Sequence, residues 1–266
     1  MTGVLGNQIV LLGNRQKMSP KIFLILPIFN EELNLPFLFS QILESFTDKM
    51  ETLEIIAVDD GSTDKSLNIL KNYQELLPVN VISHETNKNL GCSIRDAINF
   101  IFKTFPGEKD AVVITMDSDN SHLVKQIFEM VPEFKKGNDI VIASRFQKGS
   151  VVEGVPFLRR LISNSANLFI RILFPVKNLK DYTSGYRGIK YEFLRETSEK
   201  YGKDFITRDD FSYNIEFIIK LTKLNPNVSE IPICLRYDFK KGKSKMKLMK
   251  TIIQYLKLIY RLKWKS

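Results

Sequence analysis

Two aspartates one position apart are the side chains in this 266-residue chain with the clearest chemical potential. Asp117 and Asp119 follow residues 112–116, an apolar and β-branched run typical of a buried strand. Carboxylates held this close repel each other and need a countercharge, most simply a divalent cation that prefers oxygen ligands. The spacing therefore predicts a Mg²⁺ or Mn²⁺ site where this strand ends.

Charged residues also follow two other predicted strands. Residues 54–58 run into Asp59 and Asp60, and residues 139–143 run into Ser144 and Arg145. Ligands of parallel α/β sheets bind outside the carboxyl ends of the strands. We therefore expect these side chains to share one site with the aspartate pair.

The elements that must position this site follow from the order of apolar patterns. Strand-like runs alternate with helical patterns, which predicts an α/β fold with a mostly parallel central sheet and helices on both faces. Pro36 suits the first turn of a helix. Ser62 or Thr63 is the expected N-cap of the next helix, which should end near Leu76. The predicted strands are residues 21–26, 54–58, 79–83, 112–116 and 139–143, and further helices are expected over residues 90–105 and 122–136.

The common phosphate-binding motifs are absent from the sequence. No Gly-x-Gly-x-x-Gly follows the first strand, and Gly242-Lys243-Ser244 lacks the first glycine of a P-loop because Tyr237 stands there. An EF-hand beginning at Asp117 would need glycine where His122 lies. A bound nucleotide is therefore expected to be held through its metal and not by a glycine-rich loop.

Positive charge is concentrated at the end of the chain. The sequence has 39 Lys and Arg against 30 Asp and Glu, and ten of the basic residues, with no acidic one, lie in residues 239–266. The remainder is close to neutral, which argues against a nucleic-acid partner. Within the tail, apolar residues recur at helical spacing, which predicts a basic amphipathic helix on a membrane surface. These apolar residues are Met249, Ile252, Ile253, Leu256, Ile259 and Tyr260.

Residues 156–175 form a second amphipathic candidate. For both helices, the alternative is packing against the domain or a partner subunit. The longest uncharged run of the tail, residues 251–256, is far shorter than the ~20 residues that span a bilayer.

We expect the chain to divide into three parts. These are a loose tail at 1–18 without a secretory signal, a domain at 19–240, and the basic helix at 241–266.

Cys92 and Cys234 give no disulfide framework, and neither has a recognisable metal-ligand spacing. Both are expected to be reduced core thiols. His84 is expected to have a structural role.

Seven segments in order resemble the family 2 inverting glycosyltransferases of GT-A fold, in the branch of dolichol-phosphate mannose synthase and bacterial polyprenyl-phosphate sugar transferases. The resemblance covers most of the chain and depends on the order and spacing of the segments together. They are residues 27–32, 58–64, 116–119, 144–145, 181–187, 231–233 and 242–246.

The resemblance implies a role for individual side chains. Asp119 would bind the metal, Asp117 would contact ribose or metal-bound water, and Glu216 would lie beside the acceptor. Nucleotide-sugar binding is implied for Pro27, Asn30, Glu31, Asp59, Asp60, Asp117 and Arg145. Acceptor-phosphate or membrane contact is implied for Ser184, Arg187, Arg236, Lys243, Ser244 and Lys245, with Arg187 also acting on the departing diphosphate.

The sequence departs from the family in three places. Asn89 stands where relatives have the first glycine of Asn-x-Gly-Leu-Gly, although asparagine tolerates a positive φ. Ser121 replaces a glutamine that follows the Asp-x-Asp motif, so Ser121 or water would complete a metal shell. The segment after Ile233 has one extra residue, which leaves open whether Arg236 matches the family's phosphate-binding arginine.

The resemblance implies transfer of a hexose from a GDP- or UDP-sugar to a polyprenyl phosphate, with inversion, by a peripheral protein on the cytoplasmic membrane face. An ionised phosphate acceptor needs no base. A hydroxyl acceptor is the first alternative and would need Asp210, Asp209 or Glu216 as base. The other alternative is a non-catalytic scaffold or nucleic-acid-binding protein. Oligomeric state is left open.

Structural roles are the competing interpretation for several of these side chains. Asp209 and Asp210 precede a predicted helix and could cap it. Glu216 could form a buried ion pair, Arg187 could pair with Asp181, and His122 could simply pack at a helix start.

Overall fold

The computed structural model describes residues 20–242 and 248–264. The strands, in chain order, are β1 (Lys21–Ile28), β2 (Leu53–Asp59), β3 (Val79–Ser83), β4 (Ala111–Thr115), β5 (Ile140–Ser144), β6 (Val151–Glu153), β7 (Arg187–Lys190), β8 (Val228–Pro232) and β9 (Cys234–Arg236). The α-helices are α1 (Leu35–Phe46), α2 (Ser66–Tyr73), α3 (Leu90–Thr104), α4 (Ile127–Lys135), α5 (Phe157–Leu173), α6 (Tyr191–Tyr201), α7 (Tyr213–Thr222) and α8 (Leu248–Trp264).

Seven strands form one sheet in the order β3-β2-β1-β4-β7-β5-β8. Its strand pairs are parallel except those of β7, which runs antiparallel between β4 and β5. A small parallel sheet of β6 and β9 lies beside it. The expected α/β fold with a mostly parallel sheet is confirmed, and the carboxyl ends of β1, β2, β4 and β5 meet at one edge.

Both faces of the sheet are covered, as the alternation along β1 shows. Phe23 and Ile25 belong to the core under α3, α6, α7 and α8. Ile22, Leu24 and Leu26 belong to the core under α1, α2 and α4. Because a strand turns successive side chains to opposite faces, continuous burial along β1 requires helices on both sides.

Two predicted helix starts were wrong. Neither Ser62 nor Thr63 caps α2, because the Ser62 hydroxyl instead accepts a 2.9 Å hydrogen bond from Asn30 N. The Asp64 carboxylate accepts one from Ser66 N at 2.9 Å, and α2 begins at Ser66. His122 does not start a helix but forms a β-bridge with Leu235. A 3₁₀ turn, Val124–Gln126, then leads into α4.

The two amphipathic helices use their apolar faces differently. α8 buries Leu258, Ile259 and Leu262 in the core beside α7, so the alternative of packing on the domain holds for this side of the helix. α5 instead exposes most of its apolar residues. The exposed ones are Phe157, Leu161, Leu168, Phe169 and Ile172.

Within residues 20–242 and 248–264, no helix has the length and apolar content needed to cross a bilayer. The expected loose tail at 1–18 lies outside the described residues, which begin at Pro20. Lys243, Ser244 and Lys245, predicted to contact the acceptor phosphate, also lie outside them.

Candidate active site

The loop after β4 is held from three sides. Asp117 N donates a 3.2 Å hydrogen bond to His122 Nδ1, and the His122 ring stacks on Tyr186 with centroids 4.8 Å apart. The Ser118 hydroxyl donates to Pro27 O at the end of β1, at 2.6 Å. Asn120 turns the chain with φ of +64°, a conformation asparagine tolerates. His122 therefore packs and orients the loop.

Asp119 is buried and carries the better-stabilised negative charge of the pair. Its Oδ1 accepts hydrogen bonds from Ser121 N at 3.1 Å and from the Ser121 hydroxyl at 2.5 Å. Its Oδ2 forms an ion pair with the Lys240 ammonium. Burial opposes ionisation, but the charge and hydrogen bond of Lys240, together with the Ser121 hydroxyl, outweigh it and lower the pKa of Asp119.

Asp117 lies in the opposite situation. Burial raises the pKa of Asp117, and the neighbouring Asp119 charge adds to this effect, while His122 and Lys240 act against it. The pKa values of the two carboxylates are thus shifted in opposite directions.

The donor set of the pair fits a divalent cation. Both members offer carboxylate oxygens, the ligands that Mg²⁺ and Mn²⁺ prefer. The Lys240 ammonium lies at Asp119 Oδ2, so a divalent cation would have to displace it from this oxygen.

Two cavities meet at the aspartate pair. A larger one of about 330 Å³ and a smaller one of about 230 Å³ share Asp117, Asp119, Leu90, Arg159 and Phe211 in their walls. A group bound at the pair would therefore face both cavities.

The smaller cavity contains four of the seven residues predicted to bind the nucleotide sugar, one of which is Asp117. Pro27, Glu31 and Asp60 line it, together with Asn87 and Asn89 of the loop before α3. Asn89 has a φ of +72°, which confirms that it can replace the family glycine in this turn.

Asn30 and Asp59 lie outside the walls of both cavities. The Asn30 side-chain oxygen accepts a 2.8 Å hydrogen bond from Thr63 N, so Asn30 shapes the loop after β2. Asp59 is 1% exposed, and its Oδ1 has no hydrogen-bond partner among the described residues.

The larger cavity combines positive charge with apolar surface. Arg145, Arg159 and Arg160 line it, along with Ser184, which was predicted to contact an acceptor phosphate. Ile162 of α5 and Leu235 of β9 contribute apolar surface. The only carboxylates in its walls, as far as the described chain shows, are Asp117 and Asp119.

Arg145 reaches this cavity but is held by Asp181. Arg145 Nε and Nη2 donate to the two Asp181 oxygens at 2.8 and 2.7 Å, and Nη1 donates to the Ser163 hydroxyl at 2.8 Å. Burial opposes ionisation of Asp181, but the Arg145 charge and hydrogen bonds outweigh it and lower the pKa of Asp181. Arg145, and not Arg187, is therefore the partner of Asp181.

Arg187 differs from the expectation that it faces a phosphate. Its side chain is 1% exposed, and its guanidinium donates to Ser184 O at 3.0 Å and to Asn214 O at 3.1 Å. Burial lowers the pKa of Arg187. The residue stabilises the chain beneath the cavity and does not line it.

The predicted bases are also engaged in structural contacts. Asp210 pairs with Arg208 at 2.8 Å and accepts from Ser212 N at 2.8 Å, where it orders the turn before α7. Asp209 pairs with Arg95 at 3.0 Å. Neither lines either cavity.

Glu216, predicted to lie beside the acceptor, is 2% exposed and pairs with Lys220 at 2.7 Å. It also accepts hydrogen bonds from Thr207 N and Arg208 N, at 2.8 and 2.9 Å. The buried ion pair, its structural alternative, is what the structure shows.

Arg236 pairs with Glu153 at 3.0 Å and with Asp238 at 2.7 Å, and its guanidinium lies 3.9 Å from the Phe239 ring centroid. It does not line either cavity.

Sequence reasoning missed several residues of the site. Lys240 lies in the basic tail of the sequence, and Arg159 and Arg160 lie on the polar side of the helix predicted over residues 156–175. Tyr237 accepts a 2.6 Å hydrogen bond from Arg159 at the cavity wall. All three basic residues lie far from Asp119 in the sequence, so no local motif connects them with the aspartate pair.

Comparisons with known proteins identify the family of this chain. The sequence profile of glycosyl transferase family 2 matches residues 23–198. The chain is 32% identical over 248 residues to a dolichol-phosphate mannosyltransferase of Pyrococcus furiosus, covering 92% of this chain and 65% of that protein. It is 26% identical to a polyprenol monophosphomannose synthase of Mycolicibacterium smegmatis, covering 81% and 77% of the two chains.

Solved structures share the fold. Glucosyl-3-phosphoglycerate synthase of Mycobacterium tuberculosis, crystallised with Mn²⁺ and UDP, superposes with a TM-score of 0.62 at 18% identity, covering 92% of this chain and 79% of that one. TarS of S. aureus with UDP-GlcNAc gives 0.55 at 20% identity, covering 90% and 65%.

Fold, site and profile together define a GT-A glycosyltransferase domain. The chain belongs to glycosyl transferase family 2, and it spans about two thirds of the length of its Pyrococcus furiosus relative.

Proposed function

We propose that this protein transfers a hexose from a GDP- or UDP-sugar to a polyprenyl phosphate at the cytoplasmic face of a membrane, with inversion at the anomeric carbon. The observation that carries the proposal is the position of the aspartate pair between two cavities, of which the larger is lined by arginines and by no other described carboxylate.

The donor would bind in the smaller cavity. Asp60 would contact the base or ribose, and Asp117 the ribose or metal-bound water. Asp119 would hold a Mg²⁺ or Mn²⁺ ion, with Ser121 orienting its carboxylate. When bound, such an ion supplies a Lewis acid that neutralises the leaving diphosphate.

The acceptor would bind in the larger cavity. A phosphate monoester loses its second proton near pH 6, so it is already a nucleophile at neutral pH. Arg159 and Arg160 would attract it, and Arg145, fixed by Asp181, would add a further positive charge. With no described carboxylate beyond the aspartate pair in the cavity wall, this site suits an acceptor that needs no base.

The lipid chain would leave the cavity along α5. Ile162 lies in the cavity wall, and Leu161, Leu168 and Ile172 are exposed on the same helix, flanked by the exposed Arg160 and Arg171. Apolar residues beside basic ones favour an anionic membrane surface.

The test uses the full chain with Mn²⁺, a short polyprenyl phosphate and a panel of GDP- and UDP-sugars, with product detected by mass spectrometry. One sugar nucleotide should yield a lipid-linked hexose, and Asp119→Asn should abolish it. Asp238→Asn, which changes an exposed carboxylate outside both cavities, is the matched control. Absence of a lipid-linked product with every donor would refute the proposal.

A further inference from the structure

Beside the smaller cavity, three side chains of different chemical type converge. His84 follows β3, and Cys92 and Asp96 lie four residues apart on one face of α3. His84 Nε2 is 3.1 Å from Asp96 Oδ2, and Cys92 Sγ is 3.6 Å from the same oxygen. The three ligand atoms all lie within 4.8 Å of one another.

The second nitrogen of His84 is also fixed. Nδ1 lies 2.8 Å from Asp60 Oδ1, and that oxygen accepts a further hydrogen bond from Lys88 N at 2.8 Å. A histidine that binds a metal commonly donates its other ring N–H to a carboxylate, which sets the tautomer and aims the ring. His84 has this arrangement, with Nε2 directed at Cys92 and Asp96.

The ligand types and spacings suit one metal in particular. Thiolate, imidazole and carboxylate ligands are the set that zinc takes, at bond lengths of about 2.0–2.3 Å. A tetrahedral site with those bonds has ligand atoms about 3.3–3.6 Å apart. Two of the three observed separations, 3.1 and 3.6 Å, are close to these values, and the third lies within 4.8 Å.

We propose that His84 Nε2, Cys92 Sγ and Asp96 Oδ2 form a Zn²⁺ site, with water as the fourth ligand, separate from the aspartate pair of the active site. With its Nδ1–H donated to Asp60, His84 binds the ion through the Nε2 lone pair, and binding displaces one proton, that of the Cys92 thiol. Asp96, whose side chain is 34% exposed, gives the ion a path from solvent.

The site would act on the loop between β3 and α3. This loop supplies Asn87 and Asn89 to the smaller cavity, and His84 holds Asp60 in the cavity wall. Zinc would tie the end of β3 to the first turns of α3 and so fix the position of Asp60. The binding itself does not depend on the proposed sugar transfer.

The two metal sites differ in chemistry, which makes them separable. Oxygen ligands at the aspartate pair suit Mg²⁺ and Mn²⁺, whereas a thiolate selects Zn²⁺ or its spectroscopic substitute Co²⁺. Saturating Mg²⁺ can therefore occupy the active site while the second site is titrated.

The experiment is a Co²⁺ titration of the chelator-treated full chain in excess Mg²⁺, followed by absorbance. We expect a thiolate-to-cobalt charge-transfer band and intense tetrahedral d–d bands that saturate at one equivalent and disappear when Zn²⁺ is added. Asp60→Asn should weaken binding about 10–100-fold without removing the band, because it acts through His84.

Cys92→Ser should abolish the charge-transfer band, and Cys234→Ser, on β9, should leave it unchanged. Asp96→Asn is a second ligand variant that spares the core because Asp96 is partly exposed, and it should weaken cobalt binding at least tenfold. Circular dichroism reports whether each variant folds. A wild-type chain without the band, or a band of equal strength in Cys92→Ser, would overturn the proposal.

Discussion

Lys240 and Asp119 form an ion pair with which a metal at the proposed site would have to compete. The ammonium neutralises the carboxylate that would ligate the ion, so the ion must compete with it. The same chain segment is attached to Asn34, whose side-chain oxygen accepts a 3.0 Å hydrogen bond from Lys241 N and whose Nδ2 donates to Lys241 O at 3.1 Å. Lys240 is thus held over the site by the backbone next to it.

Replacing Lys240 should strengthen metal binding in the absence of nucleotide. Lys240→Met removes the competing charge and keeps most of the length of the side chain, and we expect Mn²⁺ affinity to rise about tenfold, the equivalent of about 1.4 kcal/mol. Electron paramagnetic resonance of free Mn²⁺ measures this directly. Lys241→Met keeps the backbone contacts and is the control. An unchanged or weaker affinity in Lys240→Met would show that Lys240 does not compete with the ion.

Asp181 and Arg145 form a buried ion pair whose loss should be costly. Asp181→Asn leaves the Arg145 guanidinium without its countercharge, and breaking such pairs costs about 3–5 kcal/mol in unfolding free energy. Urea unfolding at pH 7 measures the loss. Asp209→Asn, which disrupts the exposed pair with Arg95, should cost below about 1 kcal/mol. Equal losses in the two variants would contradict this account.

The same pair should contribute to acid unfolding. The pKa of Asp181 is lowered in the folded state, so its stabilisation is present above the unfolded value of about 3.9 and is lost as pH falls through the folded value. We expect the stability gap between wild type and Asp181→Asn to shrink as pH falls below about 4. Urea midpoints from pH 7 to pH 2.5 test this, and a gap that stays constant would contradict it.

The helix α5 presents an apolar stripe with no partner among the described residues. Phe157, Leu161, Leu168 and Ile172 recur at helical spacing and are 51–81% exposed. α8 was predicted to present its apolar face to a membrane. Of that predicted face, Ile259 is buried in the core, whereas Ile253 and Tyr260 are 50% and 59% exposed. A sequence pattern shows only that a face is apolar, so it could not decide how much of each helix would be left exposed.

A pair of substitutions on α5 should reduce membrane binding. Leu168→Glu with Ile172→Glu removes two exposed apolar side chains, each worth about 1.5–3 kcal/mol when buried. Binding to anionic vesicles should fall at least tenfold in a cosedimentation assay. Leu76→Glu, which changes an equally exposed leucine just beyond α2, is the control. Equal binding by the double variant and the control would contradict the membrane role of α5.

Taken over the whole molecule, local patterns predicted the fold better than the site. The strands, the carboxyl-end position of Asp60, Asp117 and Asp119, and the positive φ of Asn89 follow from local sequence. Whether Arg187 faces the cavity depends on how Asn214 and Ser184 pack around it, which one sequence does not contain. The sequence likewise does not show that Glu216 is buried in an ion pair with Lys220 and so does not reach either cavity.

The remaining contacts could not be predicted because their members lie far apart in the sequence or at irregular spacing. Lys240 is 121 positions from Asp119, so no local motif connects them. His84, Cys92 and Asp96 lie at irregular spacing across a strand end and a helix, which conceals a ligand set that the fold assembles. Long-range contacts of this kind are where the structure adds most to the sequence.

The central claim is that the acceptor is a lipid phosphate, and a comparison of two acceptors tests it most directly. Transfer should be measured with a polyprenyl phosphate and with the polyprenol of the same chain length, using the same donor and Mn²⁺, in wild type and Asp210→Asn. We predict a lipid-linked hexose from the phosphate alone, with Asp210→Asn retaining most of the turnover. Transfer to the polyprenol that disappears in Asp210→Asn would contradict the account and assign Asp210 as the base of a hydroxyl-directed enzyme.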